Sequence, residues 1–142
     1  MSKLNMQWSG DSTGNGTFVK ENSSEKVNIA IPEEKGGSGQ GFAPRELLGS
    51  SAGACFSMTL VSLMDIRSLP VDDFSMKTEG VNTGENFEIT HYPKIVLSKD
   101  ATDKDYTGVE RAIPSADKRC TVGNVLKEAG VKIEIKPEIS VG

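Results

Sequence analysis

Residues 44–66 constrain the fold more than any other segment, because they read as one helix with apolar side chains on nearly every face. Pro44 fits the first turn of such a helix, where its missing N–H would have no partner. A helix that is apolar all round is normally buried in the middle of a protein. No stretch of the chain approaches the ~20 apolar residues that a membrane span needs, and this segment is both too short and too polar at its start. We therefore expect a buried helix and no membrane insertion.

The remaining chain predicts strands and shorter helices around that helix. Residues that alternate between apolar and polar predict an N-terminal meander of three strands, and a final strand near residues 131–135. Two longer strands are predicted at Val71–Val81 and Phe87–Ser98. Helices are predicted after the capping box at Thr102 and at Thr121–Ala129, where Gly130 ends the second one. The sequence thus predicts one α+β domain spanning residues 1–142.

Charge and cysteine content exclude several classes of partner. The net charge is −4 and no block of Lys and Arg occurs, so we expect no nucleic-acid partner. The N-terminal residues lack the apolar region of a secretory signal, which predicts a cytoplasmic location. In that reducing compartment the two cysteines are expected to be reactive or buried rather than permanently crosslinked.

Cys55 lies in the middle of the long helix, on a stripe of small and hydroxyl-bearing side chains. The run Gly49–Ala54 before it has side chains too small to fill space, so another backbone can approach closely. Cys55 is either a reactive thiol or a small hydrophobic side chain in the core.

Cys120 lies at the start of the helix predicted at Thr121–Ala129. Free N–H groups and the helix dipole favour a thiolate there. The positive charges of the neighbouring Lys118 and Arg119 are expected to lower the pKa of Cys120 further. The alternatives are a buried cysteine or an exposed thiol without a partner. Sequence spacing alone does not bring Cys120 near Cys55.

Other candidate motifs carry less chemistry. His91 is the only histidine and has no constellation of ligands around it, so we expect a structural or surface residue and no metal site. The glycine-rich run at residues 36–41 lacks the spacing of a phosphate-binding loop. Acyl transfer by a Cys–His pair is unattractive, because one histidine would have to serve at an unconstrained distance.

Two segments together resemble the two cysteine motifs of the OsmC/Ohr family, the osmotically inducible and organic hydroperoxide resistance proteins. The first is Gly41–Leu60, with the sequence GFAPRELLGSSAGACFSMTL. The second is Arg111–Leu126, with the sequence RAIPSADKRCTVGNVL. The strands between and after these segments fall in the family's order, so the resemblance extends over most of the chain.

The resemblance implies an OsmC-like fold, in which an antiparallel sheet wraps a buried cysteine helix and two chains form an intertwined homodimer. It implies a thiol peroxidase that reduces organic hydroperoxides without a metal or prosthetic group. Cys55 would be the peroxidatic thiolate that forms a sulfenic acid, and Cys120 would resolve it as a transient disulfide. An external dithiol, often a lipoylated protein in the family, would reopen that disulfide.

The sequence departs from the family pattern at the residues that normally hold the thiolate, a glutamate and an N-terminal arginine. In the family the glutamate stands ten positions before the cysteine. Here that position is Arg45, and no arginine precedes Arg45 in the chain. Glu46 follows, and nine helical steps place it about 180° around the helix from Cys55. Either Arg45 supplies the cation, or Arg45 is a solvated surface residue and Glu46 interacts with the helix dipole.

This departure leaves two classes of function for the chain. The first is the peroxidase, whose activity could be weak or altered because the family's N-terminal arginine is missing. The second is a non-catalytic, dimeric stress-related protein that binds a hydrophobic small molecule in the pocket around Cys55. The apolar residues of the long helix favour an organic peroxide over hydrogen peroxide as substrate.

Overall fold

The computed structural model describes residues 2–142, and its first compact unit, which ends at Leu48, contains the predicted three-stranded meander. Strands β1 (Leu4–Ser9), β2 (Asn15–Lys20) and β3 (Lys26–Ile29) pair antiparallel in chain order. A short 3₁₀ helix, Glu33–Lys35, follows. Met6, Phe18 and Val27 are partners in the register and share one face of this sheet, which stays exposed.

Helix α1 (Pro44–Ile66) begins in the first unit and continues into the second, which comprises Gly49–Gly142. Its buried residues are Ala52, Gly53, Phe56, Leu60, Leu63 and Met64. The expectation of a helix buried on all sides is not met within one chain, since Met58 is 70% exposed and Ile66 is 77% exposed. The apolar residues thus form two faces, of which the second unit covers one.

By length and composition α1 could cross a membrane, contrary to the expectation that no segment is long enough. It is the one such helix among residues 2–142. Core helices of water-soluble proteins pass the same test, and the buried face of α1 packs into an apolar core with Ile95, Leu97 and Val109. One face of α1 thus belongs to the core of the second unit, while most of its apolar stretch is exposed.

The sheet of the second unit has four strands and is mixed rather than purely antiparallel. Strands β4 (Val71–Asn82) and β5 (Phe87–Leu97) form the predicted long antiparallel hairpin, within one residue of the expected ends. Strands β6 (Lys132–Ile135) and β7 (Glu138–Val141) both pair parallel with β5. Parallel pairing requires a crossover connection, which the helices between β5 and β6 supply. Pro93, which lacks an N–H, lies between the residues that pair with β6 and with β7.

Those connecting helices are α2 (Asp103–Arg119) and α3 (Thr121–Glu128). The predicted capping box is confirmed, since the Thr102 side chain accepts from the Asp105 N–H and the Asp105 carboxylate accepts from the Thr102 N–H. Gly130 has a φ of 92°, the left-handed conformation expected after a helix. The largest core cluster joins α1, β5 and α2 through Phe56, Leu60, Leu63, Met64, Ile95, Leu97, Val109, Ala112, Ile113, Ala116 and Cys120. The predicted α+β class is confirmed, and the prediction of a single domain over residues 1–142 stays a prediction.

Candidate active site: two thiols at one helix terminus

The structure brings the two cysteines together, although 64 residues separate them in the chain. Cys55 is half-buried on α1, and Cys120 is 3% exposed at the junction of α2 and α3. Both thiols are free, and the Cys120 thiol hydrogen-bonds the Cys55 sulfur. The Cys120 Sγ also lies 3.9 Å from the carbonyl oxygen of Ala52, which is on the same helix as Cys55.

The N-terminus of α3 supplies the donors of this site. The first N–H groups of a helix have no carbonyl partner within it. Here the N–H groups of Thr121 and Val122 donate to the Cys55 sulfur, and the Gly123 N–H donates to Cys120 Sγ at 3.3 Å. Cys120 is therefore the N-cap of α3, with sulfur in the place that an oxygen usually takes. Two sulfurs thus share three amides at the start of one helix.

These surroundings shift the pKa values of the two thiols in opposite directions. Burial raises the pKa of Cys55, but hydrogen bonds from the Val122 N–H, the Cys120 thiol and Thr121 outweigh it, and the pKa falls below its ordinary value. Burial raises the pKa of Cys120 to about 11, and the neighbouring Cys55 and the Asp117 carboxylate act in the same direction against the Gly123 N–H. The site thus pairs a thiol that ionises more readily than an ordinary cysteine with one that keeps its proton at neutral pH.

The thiolate that the sequence favoured at Cys120 is wrong, and the alternative that it left open, a buried cysteine, is confirmed. The helix terminus was expected to favour ionisation at Cys120, but two of its amides serve Cys55 and burial dominates at Cys120. Lys118 and Arg119, which were expected to act on Cys120, are exposed. The sequence thus identified the helix terminus that lowers a thiol pKa, but assigned the effect to Cys120 instead of Cys55.

Arg45 and Glu46 lie in the first turn of α1, within the first unit. The Glu46 Oε1 accepts the Ala43 N–H at 2.8 Å, so this carboxylate satisfies a backbone amide at the start of the helix. Arg45 is exposed. The assignment of either side chain to the thiol chemistry stays a prediction.

His91 is buried in β5, one of the two placements that the sequence predicted. Its Nδ1 lies 2.9 Å from the Thr78 hydroxyl, and its ring stacks on Phe56 with centroids 5.5 Å apart. Burial lowers the pKa of His91; the Asp117 carboxylate opposes that shift, and Lys127 adds to it. Among residues 2–142 no group of three or more His, Cys, Asp or Glu side chains could hold a metal ion.

Thr121 is a site residue that the sequence interpretation did not select. Its hydroxyl lies 3.7 Å from Cys55 Sγ. A hydroxyl-bearing residue directly after Cys120, at a predicted helix start, was a signal for it. Two exposed apolar side chains lie close by along the helices: Met58 is one helical turn from Cys55, and Val125, 65% exposed, is one turn from Thr121.

The fold and the site together define an α+β protein with two interacting thiols at a helix terminus. A family model described as OsmC-like protein matches residues 37–136. The chain therefore belongs to the OsmC-like protein family, as the two cysteine motifs predicted.

Individual relatives agree with this membership. The chain is 28% identical over 144 residues to the uncharacterized protein YmaD of Bacillus subtilis (strain 168), covering 98% of this chain and 94% of that protein. It is similar in fold to an OsmC-like protein from Mycoplasma pneumoniae, with a TM-score of 0.73, 18% identity and 97% coverage of each chain. It is also similar in fold to the organic hydroperoxide resistance protein OhrB of Bacillus subtilis, with a TM-score of 0.59, 14% identity, and coverage of 96% of this chain and 98% of that one.

Proposed function

We propose that this protein reduces organic hydroperoxides with Cys55 as the peroxidatic thiol and Cys120 as the resolving thiol. The observation that carries the proposal is that both sulfurs meet at the start of α3, where the Thr121 hydroxyl lies 3.7 Å from Cys55 Sγ and the Gly123 nitrogen lies 3.3 Å from Cys120 Sγ. The pKa shifts, downward for Cys55 and upward for Cys120, agree with this assignment of roles. A peroxidatic sulfur must be a thiolate to attack, whereas a resolving thiol that stays protonated does not compete for the peroxide. The direction of each pKa shift is the one that the role of that cysteine needs.

The reaction follows in two steps. The Cys55 thiolate attacks the terminal oxygen of the hydroperoxide, so a sulfur–oxygen bond forms, the O–O bond breaks, and the alkoxide takes a proton to leave as an alcohol. The Cys120 thiol then condenses with the Cys55 sulfenic acid to give a disulfide and water. An external dithiol, such as that of a lipoylated protein, returns both thiols by exchange. No metal or prosthetic group takes part in either step.

The substrate class is argued from the surface around Cys55. Met58 and Val125, the exposed apolar side chains one turn from Cys55 and from Thr121, would contact the alkyl part of an organic hydroperoxide, which hydrogen peroxide lacks. The family model and the hydroperoxide resistance name of one structural relative support the same class. We place the activity in the cytoplasm, where dithiol reductants are available.

A homodimer is part of the proposal, and exposed apolar faces support it. Met58, Val61 and Ile66 leave one face of α1 open to solvent, and Met6 and Phe18 lie on the open face of the N-terminal sheet. Such large apolar faces usually mark an interface. Light scattering after gel filtration should give the mass of two chains, and a charge at Val61, as in Val61→Glu, should give a monomer.

The test is a thiol titration followed by mass spectrometry. One equivalent of an organic hydroperoxide should remove the mass of two hydrogen atoms from the reduced chain and link the Cys55 peptide to the Cys120 peptide. Cys120→Ser should instead accumulate oxidised Cys55 without a link, and Cys55→Ser should leave the peroxide unconsumed. Unreactive thiols in the wild-type protein, or overoxidation without a link, would exclude the dithiol mechanism.

A second candidate is a non-catalytic protein that binds a hydrophobic small molecule. A groove of about 470 Å³ between α1 and β4 is the observation behind it, with Gly53, Ala54, Phe74 and Met76 in its lining beside three serines and Thr78. Cys55 does not line this groove, so it is not the pocket around Cys55 that the sequence predicted. Unreactive thiols together with saturable binding of an apolar fluorescent probe, lost in Ala54→Phe, would support this function over the peroxidase.

A further inference from the structure

Thr121 faces Cys55 with both its main chain and its side chain. Its N–H donates to the Cys55 sulfur together with that of Val122, and its hydroxyl lies 3.7 Å from the same sulfur. Among residues 2–142, Cys55 is the one hydrogen-bond partner that the structure gives this hydroxyl. The side chain is exposed, so a molecule that reaches Cys55 also reaches Thr121.

A structural role for this hydroxyl is poorly supported by its position. The N-cap of α3 is Cys120, whose sulfur already accepts the Gly123 N–H at 3.3 Å. Thr121 occupies the first helical position, where its hydroxyl is not needed to satisfy a helix amide. A β-branched residue also adds nothing to the helix propensity of so short a segment. The contact with Cys55 is what the hydroxyl contributes.

We propose that Thr121 is a catalytic residue of this site, whose hydroxyl donates a hydrogen bond to the Cys55 thiolate and then to the peroxide oxygen that departs. The second part of this role rests on the proposed peroxidase function, and the first part does not. During attack, negative charge moves from Cys55 Sγ to the departing oxygen, which acquires its proton from solvent. A hydroxyl beside the sulfur can turn to follow that charge without giving up its own proton.

Three substitutions separate the contributions of Thr121. Thr121→Val keeps the shape and the N–H but removes the hydroxyl, and Thr121→Ser keeps both donors. Thr121→Pro removes both donors at a helix position that accepts proline. Thr107→Val, at an exposed position of α2, is the matched control. All are made with Cys120→Ser, since serine also caps helices and Cys55 then remains as the one thiol.

The readout is the rate at which iodoacetamide alkylates Cys55 as a function of pH. At neutral pH we expect Thr121→Val to react about threefold more slowly. A lost hydrogen bond to a charged group cuts the thiolate fraction about tenfold, and the greater nucleophilicity of the remaining thiolate restores about threefold of that loss. Thr121→Ser and the Thr107 control should stay within about twofold of the parent, since neither loses a donor to the thiolate. Thr121→Pro should react more slowly than Thr121→Val. At high pH the order of Thr121→Val and the parent should reverse, because a less stabilised thiolate is the stronger nucleophile.

Equal rates for Thr121→Val and Thr121→Ser, whether both match the parent or both fall, would overturn the proposal. If Thr121→Pro does not fold, the valine and serine variants still decide it. Alkylation needs no peroxide, so the assay separates this inference from the proposed function. If the wild-type protein consumes no hydroperoxide, but Thr121→Val slows alkylation and Thr121→Ser does not, the peroxidase is refuted. Thr121 then remains the donor to Cys55.

Discussion

Replacing Gly53 by alanine tests whether close approach of β4 to α1 is what keeps this position small. A Cβ at Gly53 would lie 2.9 Å from Thr78 Oγ1 and 3.4 Å from Met76 Cε. The Thr78 hydroxyl is not free to move, because it is hydrogen-bonded to Nδ1 of the buried His91 at 2.9 Å. Gly49, one turn earlier, is the matched control, since its Cβ would lie 3.9 Å from Thr78 Cγ2.

The two substitutions have the same helix propensity and differ in packing. Alanine in a helix interior is favoured over glycine by ~1 kcal/mol. At Gly53 we weigh this against ~1–3 kcal/mol for overpacking and ~1 kcal/mol for a strained buried hydrogen bond. We therefore expect Gly53→Ala to lower the free energy of unfolding by ~1–3 kcal/mol and Gly49→Ala to raise it by up to ~1 kcal/mol.

Urea unfolding of both variants measures the difference. Adding Thr78→Ala to Gly53→Ala removes the nearest atom, so the double variant should lose less stability than the sum of the single variants. Gly53→Ala as stable as Gly49→Ala would refute the packing argument, because helix propensity alone would then describe this face of α1.

Three further predictions concern the thiol site. Cys120→Ala removes the acceptor of the Gly123 N–H and should be ~1 kcal/mol less stable to urea than Cys120→Ser, which keeps a capping oxygen; equal stability would contradict the capping role of the sulfur. Because the pKa of Cys120 is raised to about 11 in the folded state, its unfolded thiol ionises first as the pH rises. The stability that depends on this proton is complete below the pKa of the unfolded state and is lost as the pH rises to the pKa of the folded state. The reduced wild-type protein should therefore lose more stability in that pH window than Cys120→Ser. Parallel curves of unfolding free energy against pH would count against a buried thiol. Arg45→Ala decides between the two interpretations of Arg45: a slower alkylation of Cys55 identifies it as the cation of the site, and an unchanged rate assigns it to the surface.

The sequence predicted the elements of the fold better than their pairing. Period-two alternation and turn residues placed the three N-terminal strands and the long hairpin, because those pairings are local. The sequence interpretation missed strand β7 and the parallel pairing of β6 and β7 with β5. Alternation of apolar residues predicts a strand, but it does not identify which distant strand it pairs with after two intervening helices. The open face of α1 was missed for a related reason: apolar composition shows that a face must be covered, and not what covers it.

At the site, the sequence identified both cysteines but misassigned one ionisation state. The charges of Lys118 and Arg119 were visible in the sequence, whereas the burial of Cys120 and the amides that reach Cys55 depend on how α1 meets α3. Thr121 was overlooked because only that meeting brings its hydroxyl to Cys55. Long-range contacts determine the pKa values, and spacing along the chain does not reveal them.

Because a cysteine sulfur caps α3, one backbone amide should report the oxidation state of the site. Gly123 donates its N–H to Cys120 Sγ, the same atom that a bond to Cys55 would engage. A sulfur in a disulfide has less electron density to offer, so the amide proton should exchange with deuterium sooner and its nitrogen resonance should move. An NMR spectrum of the unmodified protein could follow the redox cycle through a glycine that takes no part in the chemistry.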